Sequence, residues 1–408
     1  MPKQKILKFP AGFLWGVSTS AYQIEGGNVN DWSQWEKLEA RSKKLSAEGK
    51  KPADYICGSA CDSYNRYEED LDLVKNLNCG AYRLGIEWSR IEPEQGQWNL
   101  KEVEHYRQVL QAAKAGNLKI VLTLWHWTLP LWLTAQGGWA NKKAVEYFVR
   151  YVELIAGELG SYVDYWVILN EPMVHLANGY LTGKFPPNKK NIFQACKAYN
   201  NLTKAHLMGY GIIHKKFRLA KVGLTMLTNY FEPARRWCAG EWLIAKLANH
   251  CWNDRFVKKL KNKFDFLGLD YYFHDRIVWY PPFKKNLNAS VTGMGWEIFP
   301  QGIYKVLKNY KKFNKPLFVM ENGLADAKDN KRAKFIIEHL KYVHQAIGEG
   351  GDVQGYFYWS LLDNFEWADG FAPKFGLYSV DHKTFKRSAR PSAKVYAEIC
   401  KNNAVEVD

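Results

Sequence analysis

Short apolar runs alternate with longer amphipathic stretches along this chain, eight times over. The apolar runs are Phe13 to Val17, Ala81 to Ile86, Lys119 to Leu124, Tyr165 to Leu169, Val222 to Met226, Phe266 to Tyr271, Pro316 to Met320 and Gly355 to Trp359. Most are nearly continuous in apolar residues, as parallel strands covered on both faces must be. Between them, Tyr64, Tyr67, Leu71, Val74 and Leu77 fall at helical spacing among acidic residues, which predicts a helix over Tyr64 to Leu77. Further helices are predicted at Lys101 to Ala115, Lys142 to Leu159, Ile192 to Phe217, Lys331 to Ile347 and Ser388 to Cys400. The polar, Lys-rich stretch from Ala40 to Pro52 reads as a surface loop. Eight strand-then-helix units predict an α/β fold: a closed (β/α)8 TIM barrel in one domain over residues 1–408, with its active site at the C-terminal ends of the strands. An open doubly wound sheet would need a glycine-rich phosphate turn after its first strand. Gly12, Gly16, Gly26 and Gly27 lack that spacing.

The residues at those strand ends are polar and aromatic. The first strand leads to Gln23-Ile24-Glu25-Gly26; the second carries Arg83 and runs on to Glu87-Trp88-Ser89-Arg90. The third ends in Trp125-His126-Trp127, the fourth in Asn170-Glu171-Pro172, the sixth in Asp270-Tyr271-Tyr272 and the seventh in Glu321-Asn322-Gly323. The eighth leads to Trp359-Ser360 and then Asp363-Asn364-Phe365-Glu366-Trp367. Glu171 and Glu321 each follow an apolar strand directly, and buried carboxylates are rare unless paired or functional. Either alone could be one half of a structural salt bridge. Together, across a barrel mouth and among amide, imidazole and indole groups, they fit glycoside hydrolysis, which needs two carboxyl groups flanking one bond.

At these residues the chain resembles glycoside hydrolase family 1, the β-glucosidases, β-galactosidases and their relatives. The resemblance extends from Phe9-Pro10-Ala11-Gly12-Phe13-Leu14-Trp15-Gly16 to Phe375-Gly376-Leu377-Tyr378-Ser379-Val380-Asp381, with the intervening motifs in the family's order. It implies a retaining β-glycosidase acting on a terminal non-reducing β-glucoside, or on a β-galactoside or β-fucoside, without a metal or other cofactor. It implies Glu171 as general acid/base and Glu321 as nucleophile. Arg83 and Tyr272 would keep the nucleophile charged and oriented. Gln23, His126, Asn170, Glu366 and Trp367 would hold the sugar hydroxyls, Trp359 would lie beneath the ring, and Trp296 would line the leaving-group side. Trp88 and Trp127 are read as packing only.

The proposed roles carry electrostatic expectations. Arg83, a permanent cation, should lower the pKa of Glu321, while burial and the charge of Glu321 should raise that of Glu171. Two departures from the family stand out. Asp270 occupies a position where the family usually has Asn, bringing a third acid near the pair. The chain is also short between the fifth and sixth strands, where only Leu227 to Asp265 intervene, which predicts a more open leaving-group side.

Composition narrows the alternatives. Seventeen Trp suit either core packing or stacking against sugar rings. The net charge of +16 would suit nucleic acid, but the basic runs Arg41 to Lys44, Lys258 to Lys263 and Lys311 to Lys315 are scattered and belong to no nucleic-acid-binding motif. A solvated basic surface and no nucleic-acid partner are expected. Seven irregularly spaced Cys give neither a zinc pattern nor a disulfide framework and suit a reducing, cytoplasmic setting. No apolar stretch has the length of a signal peptide or a membrane span, so no membrane partner is expected. The remaining rivals are an inactive carbohydrate-binding protein on the same scaffold and a 6-phospho-β-glycosidase. The second usually lacks the Glu-Trp pair kept here as Glu366-Trp367. The expected partner is a small β-glycoside or oligosaccharide.

Overall fold

The computed structural model describes residues 5–407. Eight parallel strands close a barrel in chain order: β2 (Leu14–Ser18), β3 (Ala81–Gly85), β4 (Lys119–Thr123), β5 (Tyr165–Asn170), β6 (Lys221–Pro233), β7 (Phe266–Ile277), β8 (Leu317–Asn322) and β9 (Val353–Trp359). Strand β2 pairs with both β3 and β9, so the barrel has no free edge. Below the first barrel strand, β1 (Lys5–Lys8) pairs antiparallel with β12 (Ala404–Val407), tying the two ends of the described chain together. A small hairpin, β10 (Tyr378–Val380) with β11 (Arg387–Ala389), follows the last barrel strand.

The interior is plugged by Ala81, Val121, Val167, Phe266, Phe318, Met320 and Phe357, one or two from each of six strands. Side chains two apart on a strand share a face. Arg83 therefore stands directly above Ala81, and Asp270 belongs to the row of Phe266 and Gly268. Gly16 is required by this packing, because a Cβ there would lie 2.5 Å from the ring of Phe357. Register shifts interrupt the ladder between Val167 and Asn170, between Leu269 and Asp270, and between Val319 and Asn322. Such bulges re-aim the side chains that follow them. They fall where the chemistry-bearing residues leave the barrel.

Every predicted strand overlaps an observed one, and the six predicted helices are present within a few residues at their ends. Two strands exceed their predicted lengths by six residues or more. Beyond the barrel, β6 and β7 continue as a ribbon, pairing Phe231 with Asp275, Glu232 with Arg276 and Pro233 with Ile277. His274 and Arg276 on this ribbon both bond to Glu232 and Glu297, at 2.6–3.1 Å. That network fastens the loop carrying Trp296. The predicted loop from Ala40 to Pro52 is instead largely the helix Glu39–Ala47. Its pattern is polar on all sides and buries only Leu45, so no apolar stripe announces it; Arg41 secures it by stacking 3.9 Å from the Trp35 ring. The helices Ala239–Asn249 and Gln301–Tyr310 add to those predicted. No helix among the described residues is long and apolar enough to cross a membrane.

Candidate active site

Above the interior plug, one buried cation organises three acids. Arg83 is fully buried, and its Nη1 donates to Glu321 Oε1 at 2.7 Å. The same nitrogen lies 3.9 Å from Asp270. Its Nη2 donates to Asn170 Oδ1, which also accepts from Thr225 at 2.6 Å. The second oxygen of Glu321 accepts from the Tyr272 hydroxyl at 3.0 Å. Glu171 follows β5 in a left-handed conformation, φ 42°, that turns the chain from strand into the helix Pro172–His175. Oxygens of Glu171, Asp270 and Glu321 lie within 4.8 Å of one another.

The two glutamates do not titrate alike. Burial, then the charges of Asp270 and Glu321, raise Glu171 well above the usual carboxylate range, against the pull of Arg83. Burial also raises Glu321, opposed by Arg83 and the Tyr272 hydroxyl. The expected lowering of Glu321 by Arg83 is thus present but outweighed, because drying a carboxylate is the larger effect. The order of the pair survives: Glu171 keeps its proton and Glu321 gives its own up first. Asp270 is fully buried and raised too, by burial and then by the charge of Glu321.

Around these acids lies a cavity of about 1270 Å³. That exceeds the ~300–1,000 Å³ of a drug-sized pocket, leaving room for more than one sugar ring. Glu171, Glu321, His126, Tyr272, Trp296, Trp359, Glu366 and Trp367 all line it. Trp296 packs against Phe273 at 4.5 Å and Phe375 at 6.1 Å between ring centres, making one apolar wall. Trp367 stacks on Tyr22 at 5.5 Å and lies 4.7 Å from Trp127. Glu366 is pushed up to about 8 by burial and then by the nearby charges of Asp369 and Glu321. Burial, then the charge of Arg83, holds His126 well below the usual imidazole range, so the ring is neutral.

Gln23 and Asn170 sit behind this lining. The Gln23 amide donates to the Phe365 carbonyl at 2.8 Å and reaches Glu366 at 3.4 Å, while Ser20 donates to its oxygen. Asn170 is fully buried and donates from Nδ2 to His126 Nε2 at 2.9 Å. Both brace cavity residues in addition to any contact with a sugar. Trp88 is packing, stacked on Tyr151 at 5.2 Å. Trp127 is not packing alone, since it lines the cavity with φ 74° and its buried indole N–H has no partner. Its position beside His126 at a strand exit was the available signal. Phe375 and Asn178 also line the cavity and carried no sequence signal. The three acids have the spacing of a cation site, but Arg83 already supplies positive charge there, at hydrogen-bond distance from Glu321.

A closed (β/α)8 barrel whose mouth brings oxygens of two carboxyl groups within 4.8 Å of each other has the close pairing of acids that a retaining glycosidase needs. Comparison with known proteins specifies it further. The glycosyl hydrolase family 1 model matches residues 5–258 and 245–405. The 1,4-beta-D-glucan glucohydrolase of Thermotoga neapolitana is 33% identical over 98% of this chain and 99% of its own length. The beta-galactosidase of Sulfolobus acidocaldarius is 30% identical over 98% and 96%. Among solved structures, a beta-glycosidase from Pyrococcus horikoshii superposes with a TM-score of 0.89 at 35% identity, covering 99% of this chain and 97% of that one. The Thermotoga maritima beta-glucosidase in complex with glucoimidazole has a TM-score of 0.89 at 31% identity, covering 97% and 99%. The chain belongs to glycosyl hydrolase family 1, and it is a glycoside hydrolase of the retaining type. The two family matches overlap at residues 245–258, inside the segment where the chain is short.

Proposed function

We propose that this enzyme releases the terminal non-reducing sugar of a β-glucoside through a covalent intermediate on Glu321, with β-galactosides and β-fucosides as further substrates. In the first step the Glu321 carboxylate attacks the anomeric carbon as the glycosidic C–O bond breaks. Glu171 delivers its proton to the departing oxygen. Once Glu321 is esterified its charge is gone, so Glu171, having given up its proton, stays ionised and takes one from the attacking water. Water then displaces Glu321, and both acids return to their starting states.

The observation that carries this reading is the asymmetry of the pair. Arg83 and Tyr272 occupy both oxygens of Glu321, while Glu171 Oε1 is buried with no partner. One acid is held as an anion and the other is left with a proton to give. In the sugar subsite, Trp359 would carry the ring, with Gln23, His126, Asn170, Glu366 and Trp367 on its hydroxyls and Trp296 on the leaving-group side. Sugar hydroxyls donating to Glu366 would favour its ionised form. The relatives named glucan glucohydrolase and beta-galactosidase support a gluco- and galacto-tolerant subsite. The intact Glu366-Trp367 pair favours an unphosphorylated sugar, and both acids being present favours an enzyme over an inactive binding protein. The wide cavity supports tolerance of varied aglycones. We further infer that residues 1–408 act as one domain. Seven free thiols suit the reducing cytoplasm.

A panel of nitrophenyl β-glycosides tests the sugar, and proton NMR of the first product tests retention. The expected result is β-glucoside turnover that gives the β-anomer first and disappears in Glu321→Gln. Turnover persisting in that variant would sink the assignment of the nucleophile.

A further inference from the structure

We propose that the flank formed by residues 234–290 is a docking surface for an anionic lipid bilayer, with exposed tryptophans entering the interface and lysine and arginine meeting the headgroups. Trp237 is 80% exposed, Trp242 55% and Trp279 58%; beside them Leu243 is 66% exposed, Leu247 59% and Phe283 52%. Three of these lie on the helix Ala239–Asn249 with its pattern reversed. Trp242, Leu243, Lys246 and Leu247 face outward at i, i+1, i+4 and i+5, whereas Glu241 and Ala245 are buried. An amphipathic helix usually turns its apolar stripe inward. A cluster of outward-facing apolar side chains on a folded protein marks a place of contact.

The patch is continuous with the end of the β6–β7 ribbon. Ala234 donates to the Ile277 carbonyl at 2.9 Å, and Val278 donates to that of Phe283 at 3.3 Å. The approach to Trp237 and the turn bearing Trp279 and Phe283 thus leave neighbouring strand ends. The same loop continues to Trp296 in the cavity wall, so the patch shares a rim with the active site.

Charge selects the occupant. No acidic side chain between residues 234 and 290 is exposed. Glu241 is held by Arg235 at 2.6 Å, Asp254 by Lys312 at 2.6 Å, and Asp275 by Lys284. Arg236, Lys246 and Lys285 are exposed and make no ion pair among the described residues. Tryptophan, leucine and phenylalanine among unpaired basic groups match the boundary between acyl chains and anionic headgroups. A second copy of the chain is disfavoured, because a two-fold contact would set each basic group near its own image. Nucleic acid would satisfy the cations but leave the leucines without partners. This revises the expectation of no membrane contact, which rested on spanning length alone. It stands whichever sugar the cavity takes.

The test is co-sedimentation of the full chain with vesicles of phosphatidylcholine alone or mixed equally with phosphatidylglycerol. Binding is expected to the mixed vesicles, weakened by added salt, and to be far poorer on phosphatidylcholine. The variant Trp237→Ser/Trp242→Ser/Trp279→Ser should bind roughly tenfold or more weakly, since insertion of aromatic and apolar groups supplies what charge alone does not. Its thermal midpoint and its turnover of a water-soluble nitrophenyl glycoside should be unchanged, which separates lost docking from lost folding. No binding to mixed vesicles overturns the proposal, as does equal binding by the triple variant. So does a dimer, seen in sedimentation velocity, that the triple substitution abolishes while vesicles stay bare.

Discussion

Asp270, fully buried, and Glu171, in the cavity lining, approach each other with no hydrogen-bond donor between them. Both oxygens of Asp270, and Oε1 of Glu171, are buried without a partner, and the two carboxyl groups come within 4.8 Å. Carboxyl groups so placed can bond only by sharing a proton, and each makes the other harder to ionise. The charge of Asp270 is the largest influence on Glu171 after burial. Removing it in Asp270→Asn should let Glu171 ionise at lower pH. The alkaline limb of kcat/KM, which reports loss of the acid's proton, is expected to move down by about one unit. A superimposable pH–rate profile would show that Asp270 is isolated from the reaction.

On the proposed route, Glu171→Gln removes a proton donor from the first step and a base from the second, so its effect should depend on the leaving group. A nitrophenolate leaves without help, and its release should survive as a burst. Steady-state turnover should fall about 10²–10⁴-fold, the usual contribution of a general acid–base. Azide, which needs no base, should restore turnover and yield the β-glycosyl azide. Restoration with an α-azide product would mean inversion and contradict the two-step route.

The barrel was legible because parallel strands covered on both faces must be largely apolar, and residues 165–169 or 317–320 read that way without any partner being known. The acids were legible because a carboxylate directly after such a strand has nowhere to go but the mouth. Three things were not. The ribbon extension of β6 and β7 mixes polar with apolar residues, Thr228, Asn229 and Glu232 on one strand and His274, Asp275 and Arg276 on the other, so no continuous apolar run marks it. The helix Ala239–Asn249 turns its tryptophan and leucines outward, and a pattern alone does not tell an outward stripe from an inward one. Gln23 and Asn170 lie one layer behind the lining, a matter of depth that motif order does not encode.

Trp127 is the residue this depth problem misplaced. Its indole N–H is buried, unpartnered and beside His126 in the cavity wall. An unpaired buried donor is costly unless a ligand completes it. Trp127→Phe keeps the ring and removes the donor. KM for a β-glucoside is expected to rise about three- to tenfold, the worth of one neutral hydrogen bond, with the thermal midpoint held within a degree or two. An unchanged KM would return Trp127 to a packing role.

Stability should peak in mildly acidic solution, for reasons of opposite sign. His175, His206 and His339 are buried neutral, held by burial at about 3, 4 and 3. Their unfolded forms take up protons first, so acid favours unfolding from about pH 6.5 downward. Glu25 and Glu36 are raised by burial to about 7. Between about pH 4.5 and 7 their folded forms hold protons that the unfolded chain has released, so rising pH costs stability. The effects oppose each other across pH 4.5–6.5 and act singly outside it, which predicts a thermal midpoint that falls on either side of that window. Glu36→Gln should lose its share of the alkaline slope, ~1.4 kcal/mol per pH unit below pH 7, in denaturant titrations at pH 5, 6 and 7. An unaltered slope would mean that the two donors to Glu36, the Tyr22 hydroxyl at 2.7 Å and the Cys57 amide at 2.9 Å, offset its burial and let it ionise in the folded protein as it does in water.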